Sequence, residues 1–160
     1  MSRTGKPMMS RPLLAMVCLI AWASAALADD RVPPVTDPTV LKECGACHMP
    51  FPPALLPQRS WNALLGGLSD HFGEDASLPA DKVEVIRAYL AANAGDAGTS
   101  KLGRKYMRWV APDGAPRRIT ENPAFLREHR FPASVWQDPK VVTKSNCLAC
   151  HDGAGEGRFE

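Results

Sequence analysis

The 160-residue sequence has little excess of charge of either sign and no basic tract interleaved with aromatic residues. It contains 19 Lys and Arg against 17 Asp and Glu, for a formal net charge of +2. This balance argues against a nucleic-acid binder and against a protein held on a lipid surface by charge. A content of 45% hydrophobic and 22% charged residues excludes collagen-like, mucin-like and highly charged disordered chains. We therefore expect a globular protein whose partners are other proteins or small molecules.

The sequence also has no apolar run long enough to favour a permanent membrane span. The main apolar run covers residues 13–26 and follows three basic residues, Arg3, Lys6 and Arg11. Small residues end it at Ala26-Leu27-Ala28, a layout typical of a secretory signal peptide. We predict that residues 1–28 are a cleaved signal peptide, with an uncleaved anchor as the less favoured alternative. The remaining 132 residues would carry a net charge of −1 and would not stay inserted in a membrane.

Cysteine is sparse, and its placement carries the chemistry. One of the five cysteines lies in the predicted signal peptide, and the other four form two copies of C-x-x-C-H, namely Cys44-Gly45-Ala46-Cys47-His48 and Cys147-Leu148-Ala149-Cys150-His151. Disulfides are the default for an exported chain, but this spacing is the attachment signature of c-type haem. Two thiols add to the haem vinyl groups as thioethers, and the histidine that follows ligates the iron. The sequence thus predicts two covalently bound haem c groups.

Two other chemistries also use a C-x-x-C pair. A thioredoxin-like redox pair leaves the histidine after each pair unexplained. A zinc site would require all four cysteines to converge, and it leaves the same two histidines as coincidences. We therefore favour haem attachment over both alternatives.

Histidine is equally sparse, with four in the whole chain. After the motif residues His48 and His151, two histidines remain for two irons, His71 and His129. The spacing is nearly symmetric, with 22 residues between His48 and His71 and 21 between His129 and His151. We predict that His48 and His71 ligate the first iron and that His129 and His151 ligate the second, although crossed ligation stays open. Met107 is the alternative axial ligand, but choosing it would leave a histidine without a role.

Local patterns surround both additional histidines. We predict a helix that starts at a Ser60 cap and places His71 on the same face as its apolar residues, which are Trp61, Leu64, Leu65, Leu68 and Phe72. Gly66 and Gly67 would lie in the middle of this helix, where close approach to a flat cofactor could explain them. A second short helix is predicted to start with Asn122 as the cap and Pro123 in the first turn, and to carry His129.

The rest of the chain suggests two small haem-binding domains, 29–98 and 99–160. A helix is predicted from Pro79 to Asn93, capped by Ser77, and a linker from Asn93 to Gly103. The second domain has few helical signals, and we expect a hairpin with strands at 105–110 and 117–120. Candidate haem-packing aromatics are Trp61, Trp109 and Trp136, although core packing explains each equally well. Candidate partners of haem propionates are Arg59, Arg104, Arg108, Arg117 and Arg118, although surface solvation is the default for each.

Taken together, these residues resemble the dihaem cytochrome c family usually called DHC. The resemblance rests on Glu43 to His48, Trp61, the run Gly67 to Glu74, the run Ile86 to Leu90, Arg118 to Glu121, His129 and the late motif Cys147 to His151. It implies a mainly α fold with much irregular structure, in which the first domain is helical and cytochrome-c-like and the second is largely coil. It also implies a soluble periplasmic electron carrier with two bis-histidine haems. A membrane cytochrome b as donor and a small monohaem oxygen-binding cytochrome as acceptor would be its partners.

The favoured function is outer-sphere electron transfer between protein partners through two six-coordinate haems. The alternative is a small dihaem redox enzyme, such as a peroxidase or an oxyanion reductase, with one iron open to substrate. That alternative needs either His71 or His129 to be free, and no other histidine would remain as an acid–base group. A sensor or haem-storage module is less favoured, because nothing in the chain resembles a signalling domain.

Overall fold

The computed structural model describes Met1 and residues 31–160, so the predicted cleavage site lies outside the described residues and stays a prediction. The described residues form no helix that is long and apolar enough to cross a membrane. Residues 31–160 form six α-helices, α1 Pro38–Glu43, α2 Gln58–Leu65, α3 Ala80–Ala92, α4 Lys101–Met107, α5 Pro123–Glu128 and α6 Ala133–Trp136. Six single turns of 3-10 helix accompany them, at Cys44–Ala46, Pro53–Leu55, Leu68–Asp70, Ile119–Glu121, Cys147–Ala149 and Ala154–Glu156. No strand occurs in 31–160, which confirms the predicted fold class of mainly α with much irregular structure.

Polar caps begin three of these helices. The Asp37 carboxylate accepts hydrogen bonds from the amides of Thr39 and Val40 at the start of α1. The Ser100 hydroxyl accepts one from Gly103 at the start of α4. The Asn122 side chain accepts one from Ala124 at the start of α5, with Pro123 in the first turn, as the sequence predicted. These side chains satisfy amides that a helix cannot pair internally.

The predicted caps Ser60 and Ser77 are wrong. Helix α2 begins at Gln58 after Pro57, and α3 begins at Ala80 after Pro79. Both prolines have extended backbone angles, and proline disfavours the helical conformation in the residue that precedes it. Each helix therefore starts just after its proline, and Ser60 lies inside α2, fully buried.

The prediction that one continuous helix carries His71 is also wrong. Gly66 is the C-cap of α2, so both glycines follow the helix rather than lying within it. A separate 3-10 turn, Leu68–Asp70, comes next, and His71 is its C-cap. Glycine stops a helix readily because its backbone loses much conformational freedom there. His71 therefore follows a turn and is not part of the apolar face of α2.

The predicted hairpin is the third error. Residues 101–107 form α4, and residues 119–121 form a 3-10 turn. Leu102 and Tyr106 are one helical turn apart and both are buried, so the amphipathic helix prevails over the β-propensity of the aromatic and β-branched residues nearby. The predicted linker accordingly ends earlier than Gly103, because α4 begins at Lys101.

One hydrophobic core extends across both predicted domains. Helices α2 and α3 pack together through Leu64 and Leu65 against Ile86 and Leu90, and α4 packs on Pro53–Leu55. Residues 102, 106, 119, 124 and 125 join the same cluster from the second half. The two predicted domains, 29–98 and 99–160, thus share buried contacts. Their division into separate domains stays a prediction.

Close backbone approaches fix the chain at two places, one within the first half and one between the two halves. The Gly95 amide donates to the Leu56 carbonyl at 2.9 Å, and a Cβ on Gly95 would lie 2.5 Å from the Ala54 carbonyl oxygen. Only glycine fits this position without displacement of the backbone. At the other end, the Val32 amide donates to the Gly157 carbonyl at 2.9 Å, which fixes residues close to the second C-x-x-C-H motif.

Candidate haem sites

The first C-x-x-C-H motif directly follows α1. Cys44 to Ala46 form a 3-10 turn, Cys44 is half-buried and Cys47 is exposed. Burial raises the pKa of the Cys44 thiol, and the adjacent Glu43 carboxylate adds to the rise. A carboxylate-to-ammonium ion pair of 2.9 Å between Glu43 and Lys82 ties this end of α1 to α3.

The structure brings His71 directly opposite His48. Their ring centroids are 6.2 Å apart, and the ring planes differ by 21°. A tight turn presents His71, because its amide donates to the Glu74 carbonyl at 2.7 Å. Phe72 and Gly73 in this turn both have positive φ, 60° and 101°. The strained conformation of Phe72 aims the neighbouring imidazole into the gap.

The ring nitrogens of this pair differ in their partners. Nδ1 of His48 lies 2.8 Å from the Met49 carbonyl oxygen. Because a carbonyl oxygen can only accept a hydrogen bond, Nδ1 carries the proton, and Nε2 keeps a free lone pair that can bind a metal. Nδ1 of His71 is buried and has no hydrogen-bond partner among the described residues. Burial lowers the pKa of His71, as do the charges of His48, Arg117 and Arg118. The site therefore favours the neutral imidazole that a metal requires.

The second site has the same layout with different elements. Cys147–Ala149 form a 3-10 turn, Cys147 is half-buried and Cys150 is exposed. Burial raises the pKa of Cys147. His129 is the C-cap of α5 and lies opposite His151, with 6.1 Å between ring centroids and 72° between ring planes. The two histidine pairs are thus equal in separation and different in orientation.

Backbone carbonyls orient both rings of the second pair. Nδ1 of His129 donates to the Phe125 carbonyl at 3.1 Å, and Nδ1 of His151 donates to the Glu160 carbonyl at 3.3 Å. Metal-binding histidines almost always donate their second ring nitrogen in this way. Burial lowers the pKa of His129, and the Phe125 carbonyl opposes this effect in part. Both Nε2 atoms are left free for a shared partner.

Phenylalanine side chains line both sites, and sequence reasoning missed most of them. Phe51 stacks on His48 at 4.9 Å and Phe72 lies against His71 at 4.8 Å. In the second site Phe125 stacks on His129 at 3.9 Å, and Phe159 lies 5.7 Å from His151. Phe72 was named only as an apolar member of a helical face. Phe159 has no local pattern that links it to a site.

The three predicted tryptophans divide between different roles. Trp136 lies 6.3 Å from His129 and belongs to the second site. Trp61 is buried in the core, where its ring nitrogen donates to the Pro53 carbonyl at 2.9 Å. Trp109 is 48% exposed on the surface. Met107, the alternative axial ligand, packs against Gly95 in the core.

The alternative uses of the four cysteines find no support among the described residues. No disulfide joins any of them. No group of three or more His, Cys, Asp or Glu side chains gathers in a way that could hold a metal ion such as zinc.

A family model described as dihaem cytochrome c matches residues 40–159. The chain belongs to the dihaem cytochrome c family. It is similar to a diheme cytochrome c from Rhodobacter sphaeroides, with 43% identity and a TM-score of 0.72 over 80% of this chain and all of that chain. A second structure of DHC purified from Rhodobacter sphaeroides has 44% identity and a TM-score of 0.64, over 79% and 99% of the two chains.

A third similar structure is the diheme cytochrome c of Shewanella baltica OS155, with 34% identity and a TM-score of 0.62 over 77% of this chain and 86% of that chain. No curated protein matches. Membership in the family establishes a dihaem c-type cytochrome that contains two haem groups with iron.

The residues of this dihaem cytochrome fit two haem irons. Two metal–nitrogen bonds of about 2.1 Å, together with the half-widths of two imidazole rings, span roughly 6 Å. The measured separations of 6.2 and 6.1 Å match that span. The Nδ1 atom of His71 is a buried polar atom without a hydrogen-bond partner among the described residues. Each motif also places one half-buried and one exposed thiol beside its histidine pair.

Four of the five arginines proposed as propionate partners separate into two groups. Arg59 donates to the carbonyls of Gly114 and Ala111, and Arg104 donates to the Thr99 carbonyl, so both hold loops. Arg117 and Arg118 lie beside the first site, with guanidinium carbons 5.9 and 3.6 Å from the centre of the Phe72 ring. The second half of this dihaem cytochrome therefore supplies positive charge to the first haem site.

Proposed function

We propose that the protein is a periplasmic electron carrier that passes electrons between protein partners through two covalently attached, bis-histidine haems. The attachment residues are Cys44, Cys47, Cys147 and Cys150. The observation that carries the proposal is the pairing of each motif histidine with one further histidine at about 6 Å, His48 with His71 and His129 with His151. This local pairing is favoured over crossed ligation, because each pair already has the separation that one iron needs.

The chain's own residues would keep each site closed and rigid. Bound haem supplies an iron that alternates between the ferric and ferrous states. The carbonyls of Met49, Phe125 and Glu160 hold three of the four imidazoles in one tautomer. Stacked phenylalanines limit the rotation of the rings and exclude water on one side. Such a site needs little rearrangement between oxidation states, which suits a carrier, and histidine in place of methionine keeps the potentials low.

An enzymatic function would require an open iron. Both His71 and His129 lie opposite a motif histidine, so neither site has a position left for substrate when both are ligated. The proposal therefore assigns no substrate chemistry to this chain.

The location and partners are further parts of the proposal. The signal-peptide pattern in residues 1–28 supports export of the protein to the periplasm. The family resemblance suggests a membrane cytochrome b as electron donor and a small monohaem cytochrome as acceptor.

The test is an absorption spectrum of the purified, dithionite-reduced protein before and after addition of carbon monoxide, with total haem measured alongside. We expect two haems per chain and no spectral change. The His71→Ala and His129→Ala variants should each gain a carbon monoxide spectrum at one haem, which shows that the assay detects an open site. A shift in the unmodified protein would mean that one iron is open, and the enzyme hypothesis would replace the carrier.

A further inference from the structure

Helix α4 presents four basic residues on one face. Lys101, Arg104, Lys105 and Arg108 are spaced as i, i+3, i+4 and i+7, which places them on one side of a helix. The opposite side carries Leu102 and Tyr106, which are buried. The helix therefore packs its apolar side on the core and turns a cationic side outward.

An exposed aromatic residue lies at the end of this cationic side. Trp109 follows α4 after Arg108 and leaves 48% of its surface accessible. The guanidinium carbon of Arg127 lies 4.4 Å from the centre of its ring, a cation–π contact that holds the indole in place. Tryptophan and arginine are the residues that most often anchor protein interfaces. We call Lys101, Arg104, Arg108, Trp109 and Arg127 the α4 surface.

The α4 surface lies next to the second haem site. Lys105 and Glu128 form an ion pair of 3.4 Å that joins α4 to α5. Helix α5 ends at Glu128, and the next residue is the proposed iron ligand His129. A protein seated on α4 and Trp109 would therefore lie close to the second haem.

Charge is divided unevenly along the chain. Residues 101–109 contain four basic residues and no acidic residue, whereas residues 31–98 contain five basic and eight acidic residues and residues 119–160 contain five basic and six acidic residues. Haem propionates would add negative charge at both sites and would leave this contrast in place. A surface potential of this kind attracts and orients partners of opposite charge and raises their association rates.

We propose that the α4 surface is the docking site of an acidic redox protein that exchanges electrons with the second haem. This inference rests on the proposed electron-carrier function and adds the charge of the partner and its place of contact. A lipid surface is the less favoured occupant, because membrane insertion uses the apolar side of a helix, and the apolar side of α4 is buried in the core.

The test uses an acidic flavodoxin as the probe. One electron leaves the anionic flavodoxin hydroquinone, which becomes the neutral semiquinone, and one ferric haem becomes ferrous, with no proton transferred. The second-order rate constant is measured by stopped flow on the haem-loaded protein at ionic strengths from 10 to 300 mM. Attraction predicts a rate constant that falls about tenfold over this range, since salt screens exposed charges.

Matched variants locate the docking site. Lys101→Gln combined with Arg108→Gln should lower the rate constant at least threefold at low salt and leave it within twofold of the unmodified protein at high salt. Trp109→Ala should lower it at both salt concentrations, because the apolar contact is not screened. Lys42→Gln, an exposed lysine in α1, is the control and should stay within twofold throughout. An equal loss in this control, or no loss in the double variant, would overturn the proposal.

Two further measurements separate the possible failures. In one outcome, dithionite reduces both haems, but the reaction with flavodoxin is slow and its rate constant does not depend on salt. This outcome would overturn the docking site and leave the proposed carrier function unaffected. Failure to reduce two haems at all would instead contradict the carrier function. A membrane role would show as sedimentation of the protein with phosphatidylglycerol vesicles. If the double variant abolished this sedimentation and left the rate constant with flavodoxin unchanged, the α4 surface would be assigned to a membrane and the proposal would be overturned.

Discussion

The imidazole rings of His48 and His71 are nearly parallel, with 21° between their planes, at a centroid separation of 6.2 Å. The corresponding angle between His129 and His151 is 72°, at an almost identical separation. Two sites with the same pair of proposed ligands thus differ in the mutual orientation of the two imidazole rings. This difference arises from the supporting backbone, a strained turn at Phe72 in the first site and the end of α5 in the second.

The ring orientations predict two distinct electron paramagnetic resonance signals from the oxidised protein. Parallel imidazole planes split the iron d orbitals strongly and give a rhombic low-spin signal, whereas perpendicular planes give a more anisotropic signal with a larger maximum g value. We expect one signal of each kind, in equal amounts. The His71→Ala variant should lose the rhombic signal alone. Two identical rhombic signals would contradict the difference between the sites.

The arginines beside the first site predict a dependence of its reduction potential on charge. A positive charge favours the ferrous state, because reduction removes one positive charge from the iron. At a separation of about 10 Å in a water-like dielectric the interaction is about 0.4 kcal/mol, on the order of 20 mV for one electron. We therefore expect Arg118→Gln to lower the potential of the first haem by roughly that amount, measured by spectroelectrochemical titration.

The control for this prediction is Arg127→Gln, which removes an arginine near the second site. It should change the second couple more than the first. Equal shifts of both couples in both variants would show that the arginines act through net charge and not through their positions.

How far the sequence predicts this molecule depends on whether a feature is local. The motif residues and the count of histidines predict which four histidines are candidate ligands, because haem chemistry requires a short fixed spacing and a simple number of ligands, but they leave the pairing open. The path to His71 was predicted wrongly, since a helix boundary depends on the competition between Pro57, Ser60 and Gly66 rather than on apolar spacing alone. Contacts such as Nδ1 of His151 with the Glu160 carbonyl leave no pattern, because they form only when the chain end folds back.

The histidine environments predict that the protein becomes less stable as the pH is lowered. Burial lowers the pKa of His71 and of His129, so each binds a proton more readily in the unfolded chain than in the folded one. The contribution of the two histidines to the free energy of unfolding is therefore fully present above about pH 6.5. It declines as the pH falls below that value, by at most about 1.4 kcal/mol per pH unit for each histidine. Iron ligation by these two histidines would act in the same direction. We expect a lower urea midpoint at pH 5.5 than at pH 7.5.

Two carboxylates with lowered pKa values do not affect the comparison of urea midpoints between pH 5.5 and pH 7.5. The pKa of Glu43 is lowered mainly by its hydrogen bond with Lys82, and that of Asp75 mainly by Ser77, so their contributions are lost only at more acidic pH. A midpoint that is unchanged or higher at pH 5.5 would show that the buried histidines do not control stability in this range.

Asn122 offers a test of how the second site is positioned. This side chain is fully buried, its Oδ1 accepts from the Ala124 amide, and its Nδ2 donates to the Leu55 carbonyl at 3.3 Å. It thus caps α5 and joins it to the first half of the chain. Asn122→Ala removes the cap and leaves the buried Leu55 carbonyl without this donor, which should cost about 1–3 kcal/mol in the free energy of unfolding.

The same variant should loosen His129, because α5 fixes that residue through its last turn. We expect the reduced Asn122→Ala protein to bind carbon monoxide at the second haem in mild urea, at concentrations where the unmodified protein does not. Asn93→Ala is the matched control, since the Asn93 side chain donates only to the Tyr89 carbonyl of its own helix. It should cost about 1 kcal/mol and leave carbon monoxide binding unchanged, because a single side-chain hydrogen bond at a partly exposed helix end contributes about that much. If both variants opened the second haem equally, general destabilisation rather than the position of α5 would be the cause.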